Sequence, residues 1–505
     1  MSTAAAAAHP AATAPPFDVE VEDRSSRRAE IALWVVVGLA VLATTAAIYR
    51  GFNPALVLGV FVFGLVIVSY QSVLLSWQTL LGAILFVILF IPIRRYTVAA
   101  GAPIELEPYR ILIAIVLGCW FLALCADPNV RLRASGYAGP ILLLWLGILA
   151  SLALNLGRVN SLSDFVLKQV TFFASYFLVM SFIVSVVRRG PQLDRMIKLL
   201  VGGGAIVAVC ALYEWKSGTN LFNGLGRFLP FLIYNDMGDA MIRGSGARAL
   251  ASAQHPIALG AALVMLLPLS GYLFHRTRKK YWLVAGGLLT LGALSTGSRT
   301  AAIMLVVVFG TFAWIKRDEM LKLLPLWLVL LVVIQGVMPG TLASFKFMLN
   351  PSYMLKEQSV GGGTGSGRVA DLGPSLSEWA GGNPFVGQGF GTRVTDQTAP
   401  DGGAQILDDQ WLGTLLEIGA VGFFALMWLF CRAIKRMARR ARTLEGSDSW
   451  LAAALCASLL AWTIGLFTYD AFAFIQVTFF SFVMLAFAAI VWRDGEKAGH
   501  SGGAA

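Results

Sequence analysis

Long apolar runs alternate along this chain with short polar connectors, and the runs have the lengths that membrane helices need. A spanning helix takes ~20 mostly apolar residues at about 1.5 Å each, and by that rule about fourteen runs qualify. They lie at 31–49, 53–70, 74–93, 110–126, 136–156, 166–187, 197–214, 256–274, 281–297, 300–315, 323–338, 411–431, 450–468 and 471–492. The runs 281–297 and 300–315 need their flanks, or a tilt, to cross. Only Thr468, Tyr469 and Asp470 divide the last two, so 450–492 reads either as two spans or as a re-entrant pair. Two connectors are long, 215–255 and 339–410. The pattern predicts an all-α integral membrane protein, a polytopic bundle of about 12–14 transmembrane helices with a large extracytoplasmic loop.

This divides the chain into a tail at 1–30, a bundle at 31–338 that includes the 215–255 loop, the 339–410 loop, C-terminal helices at 411–492, and a tail at 493–505. The first tail is rich in Ala, Pro and charge, the composition of a disordered segment. The Gly-rich run at 361–367 reads as a hinge; no Lys-Ser/Thr pair follows it, so it is not a Walker loop. No internal repeat is visible, which weakens a transporter built from inverted repeats.

Composition agrees with a membrane location. Of 505 residues 57% are hydrophobic and 13% charged, against roughly 25% charged in soluble domains. The net charge of +11 sits in short clusters between apolar runs rather than in a groove, so nucleic acid is not expected as a partner. The clusters fall on alternate connectors: Arg131 and Arg133; Arg188, Arg189 and Arg195; Arg276, Arg278, Lys279 and Lys280; Lys316, Arg317 and Lys322; Arg432 to Arg442; Arg493 and Lys497. With Arg24, Arg27 and Arg28 before the first run, this bias places both termini in the cytoplasm and the 339–410 loop outside. Arg94 and Arg95, on an outer connector, are the main exception. The five cysteines lie in or beside apolar runs without metal-site spacing, so no disulfide, metal or cofactor is expected.

Chemistry concentrates on the outer face. Arg299 stands in STGSRT between two apolar runs, where an arginine is costly and marks either function or an interfacial anchor. Arg243 and Arg248 close the first long loop, and His255 opens the next helix as a structural residue, a base or an anion ligand. Arg368, Trp379 and Arg393 belong to the second loop, with paired small residues in EWAGGNPFVGQGFGTR that suit a tight turn against a helix end or a sugar. Asp408 and Asp409 stand just before a helix; each reads as an N-cap, and as a general base. Arginine grips phosphate oxygens bidentately and stays charged. Several of them beside carboxylates at a lipid–water boundary suit a lipid-linked phosphate or diphosphate.

Four stretches resemble the O-antigen ligase and O-antigen polymerase superfamily of bacterial polysaccharide enzymes. They are IRGSGARALASAQHP (242–256), LSTGSRTA (294–301), GRVADLGPSLSEWAGGNPFVGQGFGT (367–392) and DDQWLGTLLEIGAVGFF (408–424). The resemblance implies a multi-pass protein of the bacterial inner membrane that moves a glycan from a polyprenyl-diphosphate carrier to a hydroxyl acceptor, lipid or glycan, at the outer face. It implies metal-independent catalysis without a cofactor. Arg243 and Arg299 would hold phosphate, Asp408 would be the base, and Arg248, Arg368, His255, Asp409 and Trp379 would bind donor or glycan. The ligases usually carry His where Asp408 stands and polymerase-type relatives often Asp, which favours a polymerase or a less specialised ligase. The competing expectations are a polytopic transporter and a non-catalytic subunit of envelope glycan assembly.

Overall fold

A computed structural model describes residues 76–98, 107–128, 130–229, 231–235, 242–243, 246–322, 324–337, 352, 368–393 and 407–501. The expected tail at 1–30, the spans at 31–49 and 53–70, the 361–367 hinge and most of the 339–410 loop lie outside the described residues, as do the side chains of Arg243 and Arg368. The chain falls into two compact units, 1–80 and 81–505, and the second holds nearly all of the described residues.

The described architecture is helical, with two short β-ribbons. Among the described residues, seven helices are long and apolar enough to cross a membrane: α2 (Pro108–Ala126), α5 (Ser163–Val186), α6 (Pro191–Ser217), α7 (Pro256–Thr277), α13 (Gln410–Thr443), α14 (Gly446–Gly465) and the apolar part of α15 (Ile475–Ser501). Shorter apolar helices lie between them: α1 (Trp77–Phe90), α3 (Ala138–Leu154), α8 (Tyr281–Ser295) and α9 (Arg299–Ile315). Short helices α4 (Leu156–Ser161), α10 (Arg317–Lys322), α11 (Leu324–Val337) and α12 (Arg368–Gly381) complete the set. Every span predicted from residue 74 onward has a helix at its position. The 450–492 stretch forms two separate helices, each long enough to cross. The chain is thus an all-α, multi-pass membrane protein.

Two helices form the centre. α7 packs against α6, α8, α9, α14 and α15, and α14 against α7, α9, α13 and α15. Both are apolar all round, the pattern of a helix with no polar face to show. Little hydrophobic force drives helices together in lipid, so close approach and interhelical hydrogen bonds do the work. A Cβ at Gly260 of α7 would stand 2.8 Å from the Ala301 Cβ of α9. Ser458 of α14 donates to the Met265 carbonyl of α7 at 2.7 Å.

The helix starts are specified locally. Pro256 occupies the first turn of α7, where its missing N–H costs nothing. α13 has 34 residues, about 51 Å at 1.5 Å per residue, so its basic last turns run beyond a ~30 Å hydrocarbon layer. Periodicity does not predict the ribbons. β1 (Tyr96–Val98) pairs antiparallel with β2 (Leu232–Tyr234), and β3 (Ile242–Arg243) with β4 (Gly246–Ala247). Each strand is only two or three residues long, too short to show a period.

Candidate functional site

The segment joining α14 to α15, residues 466–474, is where the starts of several helices meet. From α13, the Gln410 N–H donates to the Leu466 carbonyl at 2.8 Å, and the Gln410 Oε1 accepts from the Phe472 N–H at 2.7 Å. From α9, the Thr300 hydroxyl bonds the Thr468 hydroxyl at 2.8 Å. From the residues before α7, the Gln254 Oε1 accepts from the Ile475 N–H at 2.8 Å, and the His255 ring stacks on Phe474, which stacks on Tyr469. Three N-termini therefore face one end of the bundle, each closed by its own side chain. His255 Nδ1 accepts from Ile257 N–H (3.1 Å), Ser298 Oγ from Ala301 N–H (3.4 Å) and Asp409 Oδ1 from Leu412 N–H (3.1 Å).

Cations lie beside this hub. Arg248 donates through Nε to the Thr296 carbonyl at 3.0 Å, in the turn between α8 and α9. That turn needs Gly297 at φ +57°, and its next residues are the cap Ser298 and Arg299, which is 6% exposed. The segment carrying Arg248 is pinned from below. The Ala249 N–H bonds the Ser295 carbonyl at 3.3 Å, and Glu214 of α6 accepts from the Leu250 and Ala251 N–H groups at 3.0 and 2.6 Å. Burial first, then the nearby Arg248 charge, push the His255 ring down to about 4, so it is neutral near pH 7. Its cap takes the Nδ1 lone pair and leaves Nε2 as an N–H donor.

A group of carboxylates with arginines among them also includes a residue of this segment. Asp470, in the α14–α15 segment, is pushed up to about 6, chiefly by burial and in part by the Asp408 charge; the Ala473 N–H, Arg393 and Arg94 pull the other way. Glu417 of α13 belongs to the same group, within the electrostatic reach of Arg393 and Asp470 and accepting the Gly391 and Arg393 N–H groups. Arg94 is tethered through its backbone, whose N–H donates to Glu107 Oε1 at 2.9 Å; Glu107 also pairs with Arg110 at 2.8 Å. Aromatic rings lie beneath: Arg110 sits over Phe172 at 4.5 Å, and Phe173 packs on both Phe390 and Phe472.

The loop 383–393 reaches this group by filling a break in a helix. Gly419, at φ +67° and ψ −168°, interrupts α13. Backbone groups that the break would strand are taken by the loop: Ala420 and Val421 N–H donate to the Pro384 and Phe385 carbonyls at 2.9 and 3.1 Å. In return the Gln388 and Gly389 N–H groups donate to the Leu416 and Glu417 carbonyls at 2.9 and 3.2 Å. Irregular backbone at membrane depth survives only when buried in protein and satisfied there. The fit requires glycine twice, since a Cβ at Gly387 would stand 2.5 Å from the Glu417 carbonyl carbon and one at Gly419 would overlap the Phe385 carbonyl. The small-residue pairs of the sequence thus pack against a helix interruption.

Arg248 lies within electrostatic reach of His255 and bonds the turn that leads into Arg299, and Asp408 lies within electrostatic reach of Asp470. Asp409 caps α13. Trp379 donates through Nε1 to the Pro384 carbonyl at 2.9 Å and packs on the Leu407–Leu412–Leu416 cluster, supporting the loop. The backbone of Arg243 lies in the ribbon that leads into Arg248. Arg368 opens α12. The sequence pattern does not single out Asp470, Arg94 or Glu417 as site residues. The signals are present all the same: an acid in a three-residue connector between two apolar runs, and an arginine pair on the wrong side of the charge bias. Among the described residues no three His, Cys, Asp or Glu side chains gather as metal ligands would. Comparison with protein-family models and with curated protein sequences finds no match to either.

Proposed function

We propose that this end of the bundle is the active site of a membrane glycosyltransferase of the O-antigen ligase and polymerase type. It moves a glycan from a polyprenyl-diphosphate carrier to a hydroxyl acceptor at the outer face of the bacterial cytoplasmic membrane. The observation that carries the reading is the hub itself: fixed cations and a pair of acids lie around one short segment at one end of an apolar bundle. Arg248 and Arg299, with the Nε2–H of neutral His255, grip the diphosphate oxygens and stabilise charge as it develops there. Arg243 and Arg368, close in sequence to the same elements, add to that grip.

The acids supply the base. Asp470 lies within the electrostatic reach of Asp408, and Asp408 takes the proton from the acceptor hydroxyl. The hydroxyl oxygen forms a bond to the anomeric carbon, the bond from that carbon to the diphosphate oxygen breaks, and polyprenyl diphosphate leaves with the electron pair. Glu417 and Arg393 fix the 383–393 loop beside the pair, so that Trp379 acts through the loop on the glycan. A broken helix such as α13 is also a transporter feature. Here the freed backbone groups are bonded to the chain's own loop, which favours a built site over a substrate path.

The test is reconstitution of the full chain in liposomes with a polyprenyl-diphosphate-linked oligosaccharide and a sugar-hydroxyl acceptor, following glycan transfer and release of polyprenyl diphosphate. Wild-type protein should release carrier in step with transfer. Arg299→Lys, which keeps the charge but loses the fork, should lower the rate by at least about tenfold. Donor left intact by wild-type protein, or full activity in Arg299→Lys, rejects the reading.

A further inference from the structure

At the other end of the same helices lies a cavity that the transfer reading does not use. It is about 120 Å³, set between α7, α8, α9 and α14, and walled by Pro268, Gly271, Gly287, Phe312, Met320 and Trp450 among others. Its wall is almost wholly apolar. The hydroxyls of Ser270 and Thr290, which also line it, are turned to the Leu267 and Gly286 carbonyls of their own helices at 2.7 and 2.9 Å, so they present little polarity to an occupant. Val284 of α8 and Val306 of α9 stand exposed on the neighbouring surface, as lipid-facing residues do. An apolar cavity among lipid-facing helices stays free of water and takes hydrocarbon.

The rim next to the cavity is basic. Trp450 and Phe312 pack on each other in the wall, and Trp450 also stacks on His275 at 5.2 Å. His275 in turn lies within electrostatic reach of Arg278, Lys316 and Glu319. The two segments there, 275–280 and 316–322, hold seven Lys and Arg against two acids, Asp318 and Glu319. Arg276 is committed to Asp194 and Ser447. Arg278, Lys279, Lys280, Arg317 and Lys322 are exposed. Charge bias alone explains basic connectors but not a hydrocarbon-sized cavity opening beside them. Basic pockets between membrane helices recognise acidic lipid headgroups.

We propose that this end of the bundle binds one anionic phospholipid, with a segment of one acyl chain in the cavity and the phosphate on the rim formed by Arg278, Lys280, Lys316 and Arg317. The lipid braces α7, α8, α9 and α14, the helices whose far ends form the hub. The site is separate from the transfer reading and stands or falls without it.

The experiment measures thermal unfolding of the full chain in detergent with added phosphatidylglycerol or phosphatidylcholine, and lipid retained in native mass spectrometry. Phosphatidylglycerol should raise the midpoint by several degrees and be retained as a single copy, while phosphatidylcholine does neither. Gly287→Leu fills the cavity from a position where a Cβ meets nothing within 4 Å. It should fold, match or exceed the wild-type midpoint without lipid, and lose the phosphatidylglycerol shift. A triple variant, Lys280→Gln with Lys316→Gln and Arg317→Gln, leaves the packing alone and should lose the preference for the anionic lipid. Equal shifts with the two lipids, no shift with either, or a full shift surviving in Gly287→Leu or in the triple variant would overturn the proposal.

Discussion

At the level of single residues, the acids and the histidine make opposite demands on pH. Asp470 has its carboxyl raised to about 6 from an ordinary value of 3.8. The folded protein therefore holds that proton more tightly than the unfolded chain, and stability falls as pH rises from about 4 to about 6. His255, lowered from 6.5 to about 4, works the other way: the unfolded chain takes up the proton first, so its contribution is lost as pH falls from 6.5 towards 4. Melting midpoints of Asp470→Asn and wild type between pH 4 and 7 should differ in slope, with the variant gaining most near the upper end. Under the transfer proposal, ionisation of Asp470 adds a negative charge beside the base Asp408, so wild-type rate should climb as pH rises through about 6, and Asp470→Asn should lack that limb. Asp408→Asn should lose about 10²–10⁴ in rate, the usual worth of a general base. For His255 the cap makes a separate prediction. His255→Asn keeps an acceptor for the Ile257 N–H, whereas His255→Leu should cost about 0.5–2 kcal/mol in denaturant unfolding.

Among elements, the positions of helices were legible and their interruptions were not. Apolar runs of membrane length announce a helix because the backbone in lipid must satisfy itself locally, and that held even where the sequence marks the last two runs apart only by Thr468, Tyr469 and Asp470. The break at Gly419 left little mark in hydropathy, since Glu417 is the one charged residue between Trp411 and Phe430. Its partner loop was visible only as a cluster of small residues. Why they are small emerges once the two backbones are seen interlocked. Likewise the residue pattern alone left the cap open between Asp408 and Asp409; the fold gives it to Asp409, and Asp408 lies within electrostatic reach of Asp470. The interlock yields its own test. Gly419→Ala meets both a positive φ and an overlap with the Phe385 carbonyl, so it should destabilise by about 1–3 kcal/mol or more. Limited proteolysis should then cut within 383–393 at protease levels that spare wild type. Ser151→Ala, which removes bonds to the Glu417 carbonyl (2.6 Å) and from the Gly389 N–H (3.1 Å), should loosen the same loop by about 1 kcal/mol.

Taken whole, the molecule has two chemically different ends. One carries the meeting helix starts, Arg248, Arg299, Asp408 and Asp470; the other carries the dense basic connectors 275–280, 316–322 and 432–442. Basic connectors are as a rule held on the cytoplasmic side during insertion, and by that rule the sequence predicts the hub end outside, against the counter-signal from Arg94 and Arg95. Those two are accounted for by their partners at the hub end: Arg95 donates to Asn223 at 3.2 Å, and Arg94 lies within reach of Asp470. In the orientation that the charge bias predicts, any donor and acceptor for the proposed transfer meet outside. In a variant lacking the five native cysteines, a single cysteine at the exposed Phe467, beside the hub, should react in intact cells with a maleimide that cannot cross membranes. One at the exposed Lys279 should react only after the membrane is opened. The reverse labelling would turn the bundle over, put the hub in the cytoplasm and remove the external transfer reading, while leaving the packing of α7 and α14 untouched.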